Sequence, residues 1–251
     1  CKYQVHLHMR IIKVSATEST NSLAREMSQT NKMETPFCLI AEHQIAGRGQ
    51  RGSSWISNCG ENLTMSVVYP DPKVNIEAQF LLSATVALAV LDALKTLNIL
   101  NLKLKWPNDI MAAHYKIGGL LIENIVNNGR VKITIIGLGL NLNQMEFQGL
   151  PKAGSLKMIS GKTFDIYKVA ELITDALSSR LEVIESLTER GIINEYESHL
   201  FKRNKVSTFS LPNGEFLTGV IRGVTSTGLL KVMVEDELLK LFDLKEIKLL
   251  F

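Results

Sequence analysis

Several short segments of this 251-residue chain set cationic, carboxylate, amide and hydroxyl side chains beside glycines, the mixture that anion binding and group transfer use. Gly47-Arg48-Gly49-Gln50-Arg51-Gly52 spells GxGxxG. A dinucleotide turn of that spelling opens a helix whose N-terminus receives the pyrophosphate, whereas this loop runs through Ser53-Ser54-Trp55 toward a strand. Its two arginines also stand where such a turn has small or apolar residues. No HRD or DFG segment follows, which excludes a kinase loop, and GxxxxGKS/T occurs nowhere. The loop is left as an anion binder or a plain connection. In Lys105-Trp106-Pro107-Asn108-Asp109, Pro107 stops a strand and sets the aim of Asn108 and Asp109, as a turn or as a site. Lys116 precedes Gly118 and Gly119, glycines that let a ligand approach the backbone; the bland alternative for the lysine is a solvated loop charge. Gly137-Leu138-Gly139-Leu140-Asn141 leads an apolar strand into asparagine, as a site or a bulge. Ser19-Thr20-Asn21 alone is a helix cap.

The elements that must hold these segments follow from hydrophobic spacing. Asn21–Met33 predicts a helix with Leu23 and Met27 on one face, and Phe37–Glu42 a short buried strand. His43–Gly60 is a long polar loop of the kind that is functional or mobile, and Met111–Lys116 reads as a second mobile segment. Leu63, Met65, Val67 and Tyr69 alternate as a strand; Ile76–Leu97 is strongly helical; Leu102, Leu104 and Trp106 alternate again. Gly118–Val126 and Val131–Leu140 form a hairpin through Asn127-Asn128-Gly129. Phe164–Glu189 predicts an amphipathic helix. Beyond Asn204, Val206–Leu211, Phe216–Val224, Leu229–Val234 and Leu238–Leu244 are short strands separated by turn residues, which suggests a small barrel. The expected organisation is α+β through residue 203 and a β-barrel over 204–251, with 1–8 ahead of Met9 as a leader.

Composition narrows the function classes. Lys plus Arg exceed Asp plus Glu by 28 to 25, too little for a nucleic-acid-scale positive field. Cys1, Cys38 and Cys59 form no CxxC pair, which points to reduced thiols and argues against a zinc ribbon. The longest run free of Asp, Glu, Lys and Arg is Ala78–Leu91, shorter than a bilayer span, and no signal pattern opens the chain. A cytoplasmic protein without a membrane segment is the expectation.

Taken together and in this order, the motifs resemble those of biotin–protein ligases, the family that attaches biotin to carboxylases. The matching residues are Ser19-Thr20-Asn21, Gln44, Ala46-Gly47-Arg48-Gly49, Trp55, Lys105-Trp106-Pro107-Asn108-Asp109, Lys116-Ile117-Gly118-Gly119 and Gly137-Leu138-Gly139-Leu140-Asn141. The resemblance covers the chain from Met9. It implies a central mixed β-sheet flanked by helices, related to lipoate ligases and class II tRNA synthetases, with a C-terminal SH3-like barrel. It also implies a biotin site of Ser19, Thr20, Asn21 and Gln44 at the ureido end, with Arg48, Gly49 and Gln50 covering it and Lys116, Gly118 and Gly119 near the carboxylate. ATP and the adenylate would meet Arg48, Arg51, Trp55, Asn108, Lys116 and Asn141. The family loop reads GRGRxxRxW, and Gln50 and Ser53 replace its second and third arginines here, which bears on phosphate contact and on retention of the intermediate.

The reaction so implied first makes biotinyl-5′-AMP from biotin and ATP and then passes biotin to a lysine of a carboxylase's biotin carboxyl carrier domain. Two anions about 4 Å apart repel by on the order of 4 kcal/mol at an effective dielectric of 20. Arg48 and Lys116, with Arg51, are the cations expected to offset this, and Mg²⁺ travels with the ATP phosphates rather than on protein ligands. Asp109 would orient or deprotonate the acceptor amine, or simply bond to the Lys116 loop. The 18 residues before Ser19 leave no room for the winged helix-turn-helix of repressor members, so no specific DNA site is expected. A lipoate or octanoate ligase, and a biotin binder with weakened turnover, are the alternatives; a homodimer stays open.

Overall fold

The computed structural model describes residues 9–30 and 34–251, apart from the side chains of Thr30, Arg51 and Asp236. The leader expectation, Cys1 and the last three residues of the Asn21–Met33 helix lie outside the described residues. Seven strands form the main sheet: β1 (Arg10–Thr17), β2 (Phe37–Gln44), β3 (Leu63–Pro70), β4 (Leu102–Lys105), β5 (Asp109–Ala112), β6 (Tyr115–Asn127) and β7 (Arg130–Leu140). Their order is β1-β2-β3-β7-β6-β5-β4, parallel between β1 and β2 and antiparallel elsewhere. A parallel pair needs a crossover, and helix α1 (Thr20–Thr30) supplies it. The β6–β7 hairpin turns at Asn128 and Gly129, whose φ values of 50° and 72° are those a two-residue hairpin requires.

Helix α1 packs Ala24, Leu23 and Met27 onto Phe37, Leu39, Val68 and Ile135, on one face of the sheet. The other face takes α2 (Gln79–Thr96), α4 (Ile166–Leu181) and α5 (Glu189–Ser198), with the short α3 (Leu156–Ser160) beyond β7. Ile76–Thr96 has the length and a mean hydropathy of 1.5 that could cross a membrane. Eleven of the eighteen α2 residues are instead buried in the protein's own core, the place for a helix apolar on all sides. A second sheet follows, wholly antiparallel: β8 (Val206–Ser210), β9 (Phe216–Val224), β10 (Leu230–Met233), β11 (Leu239–Phe242) and β12 (Lys248–Leu250), in the order β11-β10-β9-β8-β12. This is the expected fold class, a helix-flanked mixed sheet with a small SH3-like sheet at the C-terminal end.

Two local expectations need correction. Met111–Lys116 is not a loop: β5 and β6 meet there in a tight hairpin at Ala113-His114, and Ile110, Met111, Ala112 and Ile117 are fully buried. Phe164–Glu189 is not one helix, because α4 stops at Leu181, a 3-10 turn occupies Ile184–Ser186, and Thr188 caps α5 by accepting from the Gly191 amide at 3.1 Å. No expected strand covers β1, β5 or β12: β5 and β12 are only 4 and 3 residues long, whereas Ile12, Val14 and Ala16 of β1 do alternate.

Arg180 of α4 ties the helical layer together. Its Nε donates to Asp92 of α2 at 2.6 Å, and its two terminal nitrogens donate to Glu195 of α5 at 3.1 and 2.6 Å. The Arg180 hydrogen bonds hold the Glu195 carboxyl below the ordinary glutamate value of 4.5, against a smaller opposing effect of burial. Glu195→Gln is therefore expected to destabilise the fold by under about 1 kcal/mol at neutral pH in urea denaturation, since the pair is partly exposed. A lowered native pKa contributes stability above the unfolded value and loses it as pH falls through the native one, so the two unfolding curves should converge in acid.

Candidate functional site

The α1 face of the sheet carries a floor almost bare of side chains. Strand register aligns Lys105 (β4), Asp109 (β5), Gly119 (β6), Gly139 (β7) and Thr64 (β3) in one row across the sheet. The next row is Leu121, Gly137 and Ser66, and the row beyond is Glu123, Ile135 and Val68. Side chains alternate along each strand, so these residues share a face. A cleft of about 260 Å³ lies over the first two rows, near the lower end of small-molecule pockets. Ser19, Thr20, Asn21, Gln44, Arg48, Gly49, Gln50, Trp55, Asn108, Asp109, Lys116 and Gly119 all line it. Ile221, Leu230, Leu244 and Ile247–Leu249 close its far wall from the second sheet.

One end of the cleft is a buried polar pocket. Ser19, Thr20 and Asn21 are 3–4% exposed at the start of α1. The Thr20 amide and hydroxyl both donate to Gln44 Oε1, at 2.8 and 3.0 Å. Ser66, fully buried, places its hydroxyl 2.7 Å from Thr20 Oγ1 and 2.6 Å from Asn21 Oδ1. Asn21 Nδ2 donates to the Leu121 carbonyl at 3.1 Å and to Glu123 Oε2 at 2.8 Å. Asn21 reaches these partners because position 137 has no side chain; a methyl there would collide with its amide. Ser66 and Glu123 belong to this cluster and escaped the sequence reading. A lone carboxylate within the apolar run of β6 was the available signal for Glu123; Ser66, a small residue in an alternating strand, had none.

The other end is cationic. Asp109, 12% exposed, receives Lys116 Nζ at 2.6 Å on one oxygen and Lys105 Nζ at 2.9 Å on the other. Burial pushes its carboxyl up, and the two ammonium groups together outweigh that and hold it below the ordinary aspartate range. Both oxygens are thus engaged, in the bonded arrangement of the two roles open to this residue. Asn108 is anchored too, donating from Nδ2 to the Leu120 carbonyl at 2.6 Å. The Trp106–Pro107 peptide is cis, and Trp106 Nε1 donates to the Gly228 carbonyl at 2.9 Å, which fastens this corner to the second sheet.

The glycine-rich segment does not open a helix. It folds as a small hairpin flap, with the Trp55 amide bonded to the Gly47 carbonyl at 2.8 Å, the Gly49 amide to the Ser53 carbonyl at 2.6 Å, and a 3-10 turn at Gln50–Gly52. Trp55 lies flat on Gly139, where a methyl would collide with its ring, and Lys116 Nζ stands 5.9 Å from the ring centre. Asn141, two residues beyond Gly139, is not on the cleft wall; it is 4% exposed, with Nδ2 donating to the Gly154 carbonyl at 3.0 Å. Gly118 also faces away, toward Gly139 O and Leu140. The Arg51 side chain lies outside the described residues. Arg48 pairs with Glu123 at 3.5 Å, so Arg48 and Lys116 are not gathered at one point.

Among the described residues four buried side-chain polar atoms have no partner, Trp55 Nε1, Asn124 Oδ1, Thr134 Oγ1 and Asn141 Oδ1, and of these only Trp55 belongs to a residue lining the cleft. A buried donor without an acceptor costs free energy, so the Trp55 N–H is a group that a ligand or a movement of the flap would satisfy. A resident Mg²⁺ does not fit: among the described residues the one carboxylate lining the cleft, Asp109, is taken by two lysines. Asp109→Asn would leave Lys105 and Lys116 facing each other uncompensated. It is expected to cost about 3 kcal/mol at neutral pH. Because the native pKa lies below the ordinary aspartate value of 3.8, the deficit seen in urea denaturation should shrink as pH falls below that value.

Comparison with known proteins agrees with this architecture. Residues 14–141 match the family model of the biotin/lipoate A/B protein ligases. A biotin--[acetyl-CoA-carboxylase] ligase of Mycobacterium tuberculosis is 29% identical over 220 residues, covering 86% of this chain and 80% of that protein. A bifunctional ligase/repressor BirA of Bacillus spizizenii is 31% identical over 159 residues, covering 62% of this chain and 48% of that longer protein. Among solved structures, the biotin protein ligase of Aquifex aeolicus in complex with biotin and ATP superposes with a TM-score of 0.79 at 23% identity, over 96% of this chain and 98% of that one, a likeness of fold. With the family model spanning more than half of its residues and the fold in accord, the chain belongs to the biotin/lipoate A/B protein ligase family.

Proposed function

We propose that this chain is an ATP-dependent biotin ligase, which makes biotinyl-5′-AMP and transfers biotin to a lysine of a biotin carboxyl carrier domain. The observation that carries the choice of biotin is the hydroxyl and amide cluster of Thr20, Asn21, Gln44 and Ser66 at the closed end of the cleft. A ureido ring offers it donors and acceptors. The apolar end of lipoate or octanoate would offer this buried polar surface no hydrogen-bond partner, and sites built to hydrogen-bond a ligand reject analogues that cannot do so by large factors. The names of the relatives point the same way.

The chemistry follows from the opposite end. Biotin's carboxylate attacks the α-phosphorus of ATP, a carboxyl–phosphorus bond forms and pyrophosphate leaves. The acceptor lysine, as a neutral amine, then attacks the acyl carbon, an amide forms and AMP leaves. Lys116, already beside the glycine floor, is placed to offset charge on the reacting carboxylate and phosphate. Arg48 reaches that junction only by leaving Glu123. Asp109 holds Lys116 and Lys105 in place; a carboxylate kept below its ordinary range is a weak base, so general-base work is not assigned to it. Mg²⁺ enters as part of the MgATP substrate.

Incubation with biotin, MgATP and a carrier domain is expected to give the mass of one added biotin, and biotin should outcompete lipoate in ATP–pyrophosphate exchange. Lys116→Ala should lower the turnover number by about 100-fold, the scale of one lost charge-stabilising group. Preference for lipoate, or full turnover in Lys116→Ala, would overturn the assignment.

A further inference from the structure

Glu123 is the meeting point of the cluster's charged groups. Its Oε1 lies 3.5 Å from Arg25 of α1, and its Oε2 lies 3.5 Å from Arg48 of the flap and accepts from Asn21 at 2.8 Å. A carboxylate in the apolar stretch Leu120–Val126 of β6 is otherwise out of place, and it stands on the α1 face. Gly119, beside the Lys116 ammonium, is four residues earlier on the same strand and face, about 13 Å away at roughly 3.3 Å per residue. The Arg48 guanidinium is therefore held near the ureido end of the cleft, far from the junction where it would help two anions meet.

We infer that Glu123 is a positioning residue that latches the flap through Arg48 in the ligand-free enzyme, and that ATP phosphates must draw Arg48 away from it before adenylation. This rests on the function proposed above. The same carboxylate fixes the Asn21 amide, with Nδ2 toward Glu123 and Oδ1 toward Ser66 and so toward the biotin head. One side chain then links the two ends: it orients the group that meets biotin and competes with phosphate for the cation that closes over it. Arg48 is about half exposed in this pairing, so the latch is weak enough for a multiply charged phosphate to win.

Glu123→Gln separates the two roles, because the amide oxygen still accepts from Asn21 while the charge that holds Arg48 is gone. In the ligand-free variant, amide exchange over Gly47–Trp55 should rise two- to fivefold, the range a half-exposed ion pair commands. Arg48→Gln should give the same rise and the double variant no further one, the signature of a direct pair. In biotin-dependent pyrophosphate exchange the KM for MgATP should fall two- to fivefold while the KM for biotin stays within twofold. Unchanged flap exchange, additive effects in the double variant, or a raised biotin KM with unaltered ATP KM would overturn the latch. Should wild type show no biotin-dependent exchange, the function fails on its own, and the ligand-free hydrogen-exchange cycle still decides the latch.

Discussion

Cations crowded into one small cleft repel one another unless carboxylates lie among them. Among the described residues Arg48, Lys105, Lys116 and Lys248 all line this cleft, against the single cleft-lining carboxylate Asp109. The fold resolves the conflict by giving the inner cations carboxylate partners on neighbouring strands. Lys105 and Lys116 share Asp109, and Arg48 shares Glu123 with Arg25. The Asp109 pairings depend on the register of β4, β5 and β6, since a slip of one residue would send a partner to the opposite face, and the Glu123 pairings also need α1 and the flap in place. The sheet is thus the device that stores charge in a neutral form.

The same register explains the glycines. Gly119, Gly137 and Gly139 fall in adjacent rows of β6 and β7, so three missing side chains make one continuous floor. Asn21 lies over Gly137 and the Trp55 indole over Gly139, each closer than a methyl group would permit. The indole covers the Gly139 end of that floor, and its buried N–H has no acceptor there.

Much of this was legible in the sequence. The β6–β7 hairpin announced itself because Asn128-Gly129 is the turn that positive φ values demand, and α2 because its apolar spacing runs for five turns. The motif residues Ser19–Asn21, Gln44, Arg48, Lys105–Asp109 and Lys116 were found, and the structure brings them to one cleft. What escaped was set by tertiary pairing. Asn108-Asp109 reads as a turn or a site after Pro107, and Asp109 instead opens β5, which pairs with β4 on one side and β6 on the other. The seat of Trp55 depends on a flap whose fold is a hairpin of its own backbone bonds, and Asn141 is fixed by bonds to Ile117, Gly154 and Leu156. Glu123 was hidden because its partners lie on α1 and the flap, about 100 and 75 residues away in sequence.

The second sheet belongs to the site as much as the first. Trp106 donates to Gly228, a residue at φ 92° that β9 and β10 need for their turn, and Lys105 Nζ stands 4.9 Å from the Phe251 ring just past β12. The strand end that carries Lys105, Asn108 and Asp109 is therefore held from both sides, by β5 within the main sheet and by the small sheet across the cleft. A carboxylate between two ammonium groups is directional only if the three stems are fixed, and these contacts fix them. The cationic end is rigid where the flap end is a weak ion pair at a loop. That asymmetry assigns the motion to Arg48: the lysines wait in position, and the arginine has to come to them.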